Sequence, residues 1–157
     1  MPDLLVRLYD LPIFDGAPEL AEKGIVVRKA LPLERELVIA FARSFHDGWG
    51  AECSFAFASH PVPVWVAVRD NELLGFACYD ASAKGFFGPT GVLETAQRQG
   101  IGEALLMATL SAMWNTGYAY GVIGDPGPIN WYKKRLDAVE IPKSEPGIYK
   151  GRLRRPE

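Results

Sequence analysis

The feature that most constrains the fold is an apolar helical segment, residues 100–116, with β-strand patterns on both sides of it. Gly117 is suited to end the helix, and short strands are predicted over 84–94 and 118–124. A strand, a helix and a second strand in this order form a parallel crossover. The helix is apolar on more than one stripe, which predicts that it packs against the sheet. These stripes comprise Ile101, Ala104, Leu105, Ala108 and Ala112, and Leu106, Leu110 and Met113.

A hairpin is predicted over residues 64–79 and adds antiparallel pairing to the sheet. VWVAVR is apolar on both faces, Asp70-Asn71 supplies the turn, and ELLGFACY returns. The strand at 84–94 carries glycines and a proline before it ends at Val92-Leu93, which is typical of a bulge or a splayed strand. Both kinds of pairing in one chain predict an α/β fold with a mixed sheet.

The rest of the chain predicts shorter elements. A helix is expected within 31–45, with Leu33, Leu37, Ala40 and Phe41 on its apolar stripe. The other predicted elements are strands within 4–12 and 24–30, a helical turn at 18–23, a short helix within 46–59, a helix over 129–136, and two short strands around Pro142–Pro146.

Length and composition favour one domain and exclude several classes of function. The chain has 157 residues, 48% apolar and 23% charged, with no stretch long enough for a transmembrane helix. A net charge of −2 gives no electrostatic case for a nucleic-acid partner, and no membrane partner is expected. The basic end, 150–157, is interpreted as a solvated tail, with a phosphate contact as a minor alternative. The start lacks the basic head and apolar run of a signal peptide, so we expect a cytoplasmic protein.

The expected organisation is a single domain over 1–157. Residues 1–23 are expected to form an extra N-terminal strand and loop ahead of a core at 24–150. This strand would lie at a sheet edge or would pair between the two copies of a homodimer, and the sequence leaves both arrangements open.

Two glycines stand where the apolar helix begins, in QRQGIGEALL at 97–106. Glycine weakens a helix interior by roughly 1 kcal/mol, so its use here needs a reason. The first N–H groups of a helix have no internal partner, and the helix dipole adds about half a positive charge. Because Gly100 and Gly102 have no Cβ, a phosphate can approach these N–H groups, and residues 97–99 add side-chain donors.

One phosphate-binding pattern fits this loop. A Walker loop needs GK[ST], which the chain lacks, and in a dinucleotide fingerprint Leu105 would occupy the place of the third small residue. The pattern Q/R-x-x-G-x-G/A is met by Gln97, Gly100 and Gly102. With this loop and the order of its strands and helices, the chain resembles the GCN5-related N-acetyltransferase (GNAT) superfamily over roughly residues 24–150.

The resemblance implies a fold and a co-substrate. The fold would be a mixed, mostly antiparallel twisted sheet flanked by helices, with a splayed central strand pair, and the co-substrate would be acetyl-CoA, without a metal. Asn130 would contact the cofactor, although it could equally cap the helix at 129–136. Glu94 and Arg98 depart from the proline and the glycine that are common in the family. The implied cofactor-binding residues are Val92, Leu93, Gln97, Arg98, Gln99, Gly100, Ile101, Gly102 and Asn130.

The resemblance also implies direct transfer of an acetyl group to a primary amine of a small molecule or peptide. A backbone N–H near Leu93 would stabilise the developing oxyanion. Tyr132, a phenol of ordinary pKa about 10, would protonate the departing thiolate, unless it is only a packing residue. The base stays open among Glu52, Asp125 and His46. The alternative function is a CoA-binding sensor or interaction domain without turnover.

The resemblance further implies that the aromatic region at 46–59, together with Phe45, walls the acceptor site, because in the family the helices after the first strand do so. Phe45 and Trp49 would favour an amine on an apolar or flat body, or a cation held by cation–π contact. Phe55 and Phe57 are expected in the core. The two isolated cysteines lack the signature of a Cys–His hydrolase, and no paired His/Cys spacing favours zinc.

Overall fold

A seven-stranded sheet in the order β2-β3-β4-β5-β6-β1-β7 organises the chain, and the computed structural model describes all 157 residues. The strands are β1 (Leu4–Arg7), β2 (Val26–Lys29), β3 (Val64–Arg69), β4 (Glu72–Tyr79), β5 (Phe86–Val92), β6 (Tyr120–Ile123) and β7 (Val139–Glu140). The helices are α1 (Ala17–Glu22), α2 (Arg35–Phe45), α3 (Asp47–Ala56), α4 (Ile101–Thr116) and α5 (Ile129–Leu136).

All strand pairs are antiparallel except β5 and β6. β3 and β4 form the predicted hairpin, and its turn residues Asp70 and Asn71 have φ of 50° and 64°, as a two-residue type I′ turn requires. The register of β4 against β5 shifts between Ala77 and Tyr79, which is the irregularity expected from the glycines. The crossover through α4 makes β6 parallel to β5. The predicted mixed, mostly antiparallel sheet is confirmed.

The N-terminal strand β1 lies inside the sheet. Leu4 pairs with Ile123 of β6 on one side and with Glu140 of β7 on the other. Leu4 and Val6 are fully buried, because alternate residues of the strand face the core. Both hydrogen-bonding edges of β1 are used within the chain, so it is neither an edge strand nor free to pair with a second copy.

Helices cover both faces of the sheet and create two hydrophobic cores. On one face α4, α5 and the segment around α1 bury residues such as Leu105 and Leu110. On the other face α2 and α3 bury Val38, Ala42 and Cys53 against Phe76 of β4. The sheet is therefore the middle layer, and any opening between its strands connects the two faces.

The predicted apolar stripe of α2 is wrong. Leu33 and Leu37 are 84% and 72% exposed, Ala40 is exposed, and Phe41 is only partly buried. The helix buries the neighbouring stripe instead, formed by Val38, Ile39 and Ala42. Both stripes have helical spacing, and the packing of α2 on α3 and β4 selects between them.

Two further predictions are wrong. Only one strand, β7, forms near the C-terminal end, because Pro142 has no N–H to donate and Lys143 has a left-handed φ of 60°. Beyond β7 the side-chain oxygen of Ser144 accepts a hydrogen bond from the N–H of Asp3 at 2.7 Å. Phe55 is 64% exposed and lies outside the core, whereas Phe57 is buried as expected.

None of the helices has both the length and the apolar character needed to span a bilayer.

Candidate active site

β5 and β6 separate after two paired residues. Phe86 pairs with Val122 and Phe87 with Ile123, where β6 ends, while β5 continues to Val92. Beyond Phe87 the edge of β5 that faces β6 therefore has no strand beside it. This opening is the splayed strand pair that the sequence predicts.

The backbone groups of β5 next to the opening are set by the ladder with β4. The N–H of Leu93 donates to the carbonyl of Leu74 at 2.9 Å, so it is already paired. Successive residues of an antiparallel strand turn their N–H groups to opposite edges, so the N–H of Val92 points into the opening. A backbone N–H near Leu93 is expected to stabilise the oxyanion. Of the two neighbouring residues, the one whose N–H faces the opening is Val92.

The loop before α4 leaves a set of backbone N–H groups open. The first helical bond runs from the N–H of Ala104 to the carbonyl of Gly100 at 3.0 Å, so the three preceding helical N–H groups have no helical partner. Gly100 has φ of 86°, a left-handed conformation that glycine adopts without strain. A Cβ at Gly100 would have no atom within 4 Å, and a Cβ at Gly102 would stand 3.8 Å from Val92. The space in front of the helix is open, as an anion would need.

The three polar side chains of the loop have different partners. Gln97 Nε2 donates to the carbonyl of Val92 at 3.2 Å, and Gln99 Nε2 donates to the carbonyl of Ala96 at 3.2 Å. These two amides brace the loop against β5 and against itself. Arg98 is exposed, has φ of 63° and makes no ion pair within the chain, so it is the predicted donor whose side chain stays free for an anion.

A cavity of about 420 Å³ runs through the opening and draws its lining from both faces of the sheet. Phe45 and Trp49, at the junction of α2 and α3, line it on one side. The α4 and α5 side contributes Gly102, Leu106 and Tyr132. This volume lies in the range of small-molecule sites. The cavity joins the open N–H groups of α4 to an aromatic surface on the opposite face.

Tyr132 lies on α5, is 8% exposed as a residue and lines this cavity. Its ring packs edge-on against Trp131, with 5.1 Å between the centroids. Burial raises the pKa of Tyr132 to about 12, with no charged or hydrogen-bonding neighbour contributing to the shift. The hydroxyl is therefore protonated throughout the physiological range and can donate a hydrogen bond.

Asn130 is exposed on the first turn of α5 and is not among the residues that line the cavity. The suggestion that it caps this helix is wrong, because the N-cap position is held by Pro128 and no side chain bonds there. Its predicted contact with the cofactor stays a prediction.

The three candidate bases all have other partners and lie outside the lining of the cavity. His46 accepts a hydrogen bond from the N–H of Gly48 at 3.0 Å and begins α3. Glu52 accepts the hydroxyl of Tyr149 at 2.6 Å. Asp125 pairs with the ammonium group of Met1 at 3.1 Å.

Sequence reasoning missed two charged residues beside the site. Glu103, on the first turn of α4, lines the cavity and pairs with Arg135 of α5. The signal in the sequence was the position of Glu103 directly after Gly102, but its partner is 32 residues away in the chain. The two cysteines offer no reactive thiol, because both are fully buried and burial raises the pKa of Cys78. No three His, Cys, Asp or Glu side chains are grouped to hold a metal ion.

The open mixed sheet has the fold of acetyltransferase domains. The model of the acetyltransferase (GNAT) family matches residues 32–136, about two thirds of the chain. The chain therefore belongs to the GNAT acetyltransferase family, whose members transfer acetyl groups. No curated protein sequence matches the chain.

Solved structures share this fold at low sequence identity. A GCN5-related glucosamine N-acetyltransferase region of a fungal multi-domain β-N-acetylglucosaminidase has a TM-score of 0.72 at 14% identity, covering 89% of this chain and 19% of that one. A GCN5-related N-acetyltransferase from Sphaerobacter thermophilus has a TM-score of 0.64 at 17% identity, covering 89% and 48%. One from Kribbella flavida has a TM-score of 0.60 at 22% identity, covering 88% and 53%. The chain thus spans about half or less of these proteins, and the likeness concerns the fold.

Proposed function

We propose that the domain transfers an acetyl group from acetyl-CoA directly to the amine of a small molecule or peptide, with both substrates bound together. The observation that carries the proposal is the cavity through the sheet, which connects the open start of α4 with the aromatic surface formed at the α2–α3 junction. Two substrates that meet end to end could enter such a cavity from the two faces of the sheet.

The start of α4 fits the diphosphate of acetyl-CoA. The unpaired N–H groups of Ile101, Gly102 and Glu103 point out of the helix end, where the dipole favours an anion. The guanidinium of Arg98 adds a full charge at the mouth of the cavity. Gln97 and Gln99 hold the loop in shape rather than contacting the ligand with their bonded amides.

Acetyl-CoA supplies a thioester whose carbonyl oxygen gains negative charge when an amine attacks. The N–H of Val92 is the donor that would face this oxygen, because it lies on the open edge of β5. Leu93 contributes by fixing that orientation through its own bond to Leu74.

Tyr132 would act at the departing sulfur. With a pKa of about 12 the phenol is a weaker acid than an ordinary thiol, whose pKa is about 8.5. Complete transfer of its proton to the thiolate is therefore uphill, and a hydrogen bond from the hydroxyl to the sulfur is favoured. We infer that Tyr132 stabilises the leaving thiolate as a donor and stays protonated.

The acceptor would be an amine with an apolar or flat body. We name the rings of Phe45 and Trp49 the aromatic wall; they lie with centroids 5.8 Å apart and planes inclined by 31°. The carboxylate that lines the cavity, Glu103, is paired with Arg135, so no free negative charge is available for a polycation. The amine would attack through the lone pair of its neutral form. The proton that the nitrogen loses on acylation would pass to solvent water, because the candidate bases are engaged elsewhere.

A thiol-release assay with acetyl-CoA and a panel of amines tests the proposal, with CoA binding measured separately by thermal shift. We expect binding and turnover with amines on aromatic or aliphatic bodies. Binding without thiol release for any amine would favour a CoA-binding sensor or interaction domain. An absence of CoA binding would contradict the proposal that the start of α4 binds the diphosphate.

A further inference from the structure

Glu103 places a negative charge where the proposed function needs a positive field. It is the third residue of α4, its side chain is 28% exposed, and it lines the same cavity as Gly102 and Arg98. An acidic residue in the first turn suits the helix dipole when no ligand is bound. Next to a diphosphate the same carboxylate would repel the ligand unless its charge were compensated.

Arg135 provides this compensation from another helix. Its Nε donates to Oε1 of Glu103, and its Nη2 donates to the carbonyl of Ile13 at 3.1 Å. The side chain of Arg135 is only 24% exposed. The second bond anchors Arg135 to the N-terminal segment, so the ion pair is held from two sides rather than formed by two mobile surface side chains.

We propose that Arg135 is a positioning residue that neutralises Glu103, so that the start of α4 can accept the diphosphate of the acyl donor. The inference rests on the proposed function, and it assigns to Arg135 an effect through Glu103 rather than a contact with the ligand. The pair acts as a unit: removal of the arginine alone leaves an uncompensated carboxylate beside the ligand, whereas removal of both charges restores neutrality.

The test compares two acyl donors. Acetyl-CoA contains the diphosphate, and S-acetyl-pantetheine offers the same thioester and arm without it. The Arg135→Gln variant should raise the KM for acetyl-CoA at least about tenfold, as expected for a partly buried like charge close to the ligand. Its KM for S-acetyl-pantetheine and its kcat should change less than about twofold. The effect should shrink at high salt, because screening weakens the repulsion.

Three further variants distinguish charge compensation from a direct ligand contact and from a loss of structural support. The Glu103→Gln/Arg135→Gln double variant should return the KM for acetyl-CoA to within about threefold of wild type, although it too lacks the bond to Ile13. Arg135→Lys keeps the charge and should stay close to wild type. Lys134→Gln removes a neighbouring positive charge on α5 that has no ion-pair partner and should have little effect.

Specific outcomes would overturn the inference. A double variant as weak as Arg135→Gln would mean that Arg135 contacts the ligand itself or only supports the fold. An equal loss with S-acetyl-pantetheine, or an equal loss in Lys134→Gln, would also contradict it. If wild type binds CoA and Arg135→Gln leaves the KM for acetyl-CoA unchanged, this inference alone is refuted. If wild type has no affinity for CoA, the proposed function is refuted and this inference with it.

Discussion

The ring of Phe45 lies directly against the backbone of Gly91. A Cβ at residue 91 would stand 3.0 Å from Cζ of Phe45, closer than ordinary van der Waals contact. This contact brings the end of α2 onto β5 one residue before Val92, whose N–H faces the opening. Because Gly91 has no side chain, the aromatic wall can lie next to the proposed oxyanion donor.

The first prediction concerns this contact. Gly91→Ala should displace the ring and destabilise the fold by about 1–2 kcal/mol, because the ring can move only by disturbing its contacts with Phe41, Trp49 and Phe76. Phe45→Leu lacks the ring atoms that clash, so the Gly91→Ala/Phe45→Leu double variant should lose less than the sum of the two single variants. Urea unfolding of all four proteins measures the coupling. Additive losses would show that the two residues do not constrain each other.

The second prediction concerns the acceptor. Trp49→Ala removes half of the aromatic wall and should raise the KM for an arylalkylamine about tenfold, with the KM for acetyl-CoA unchanged. Phe55→Ala is the matched control, because Phe55 is an aromatic residue of the same helix that is 64% exposed and lies outside the cavity. Equal effects of the two variants, or no effect of Trp49→Ala, would contradict the assignment of the acceptor side.

The third prediction concerns catalysis by Tyr132. Tyr132→Phe keeps the ring in place and removes only the hydroxyl, whose raised pKa involves no hydrogen-bonding neighbour. We expect kcat to fall about ten- to hundredfold, with the affinity for CoA within about twofold of wild type. Steady-state rates in media of different viscosity identify conditions in which chemistry limits turnover. An unchanged kcat under those conditions would leave Tyr132 as a packing residue.

The fourth prediction follows from the pKa of Tyr132, which is about 12 in the folded chain against an ordinary value of 10. Below pH 10 the phenol is protonated in both states, so it adds no pH dependence. Between pH 10 and 12 the unfolded chain releases the proton and the folded chain keeps it, so stability falls as pH rises. By about pH 11.5 wild type should have lost about 2 kcal/mol more than Tyr132→Phe, relative to pH 9. Urea unfolding at the two pH values measures the difference, and parallel losses would contradict the burial argument.

Local signals in the sequence were sufficient to predict the helices α4 and α5. Gly100 and Gly117 mark the two ends of α4, and both have the left-handed backbone that glycine favours. The apolar pattern between them identifies the helix without tertiary information. The family was inferred from the loop pattern at 97–102 together with the order of elements, and the family and the mixed sheet are confirmed.

What the sequence could not provide depends on contacts between distant residues. Two stripes of α2 have helical spacing, and only packing shows that Val38 is buried while Leu37 is exposed. The engagement of Leu93 with Leu74 depends on the register of β4 and β5. The interior position of β1 depends on which strands remain unpaired elsewhere. Periodicity contains no information about any of these three relationships.

The fifth prediction tests the site at α4 directly. A Cβ at Gly102 would meet only Val92, at 3.8 Å, so a larger side chain there projects into the space in front of the helix rather than into the core. Gly102→Val should therefore fold, because valine has a higher helix propensity than glycine and its Cβ meets no close neighbour. Saturation with CoA at about 100 times its dissociation constant should stabilise wild type by about 2.7 kcal/mol and leave the variant unchanged. Gly127→Val, at another glycine with open space around its Cβ, serves as the control and should keep the full shift. A variant at Gly102 that is stabilised as strongly as wild type would show that the ligand does not approach the helix through this position.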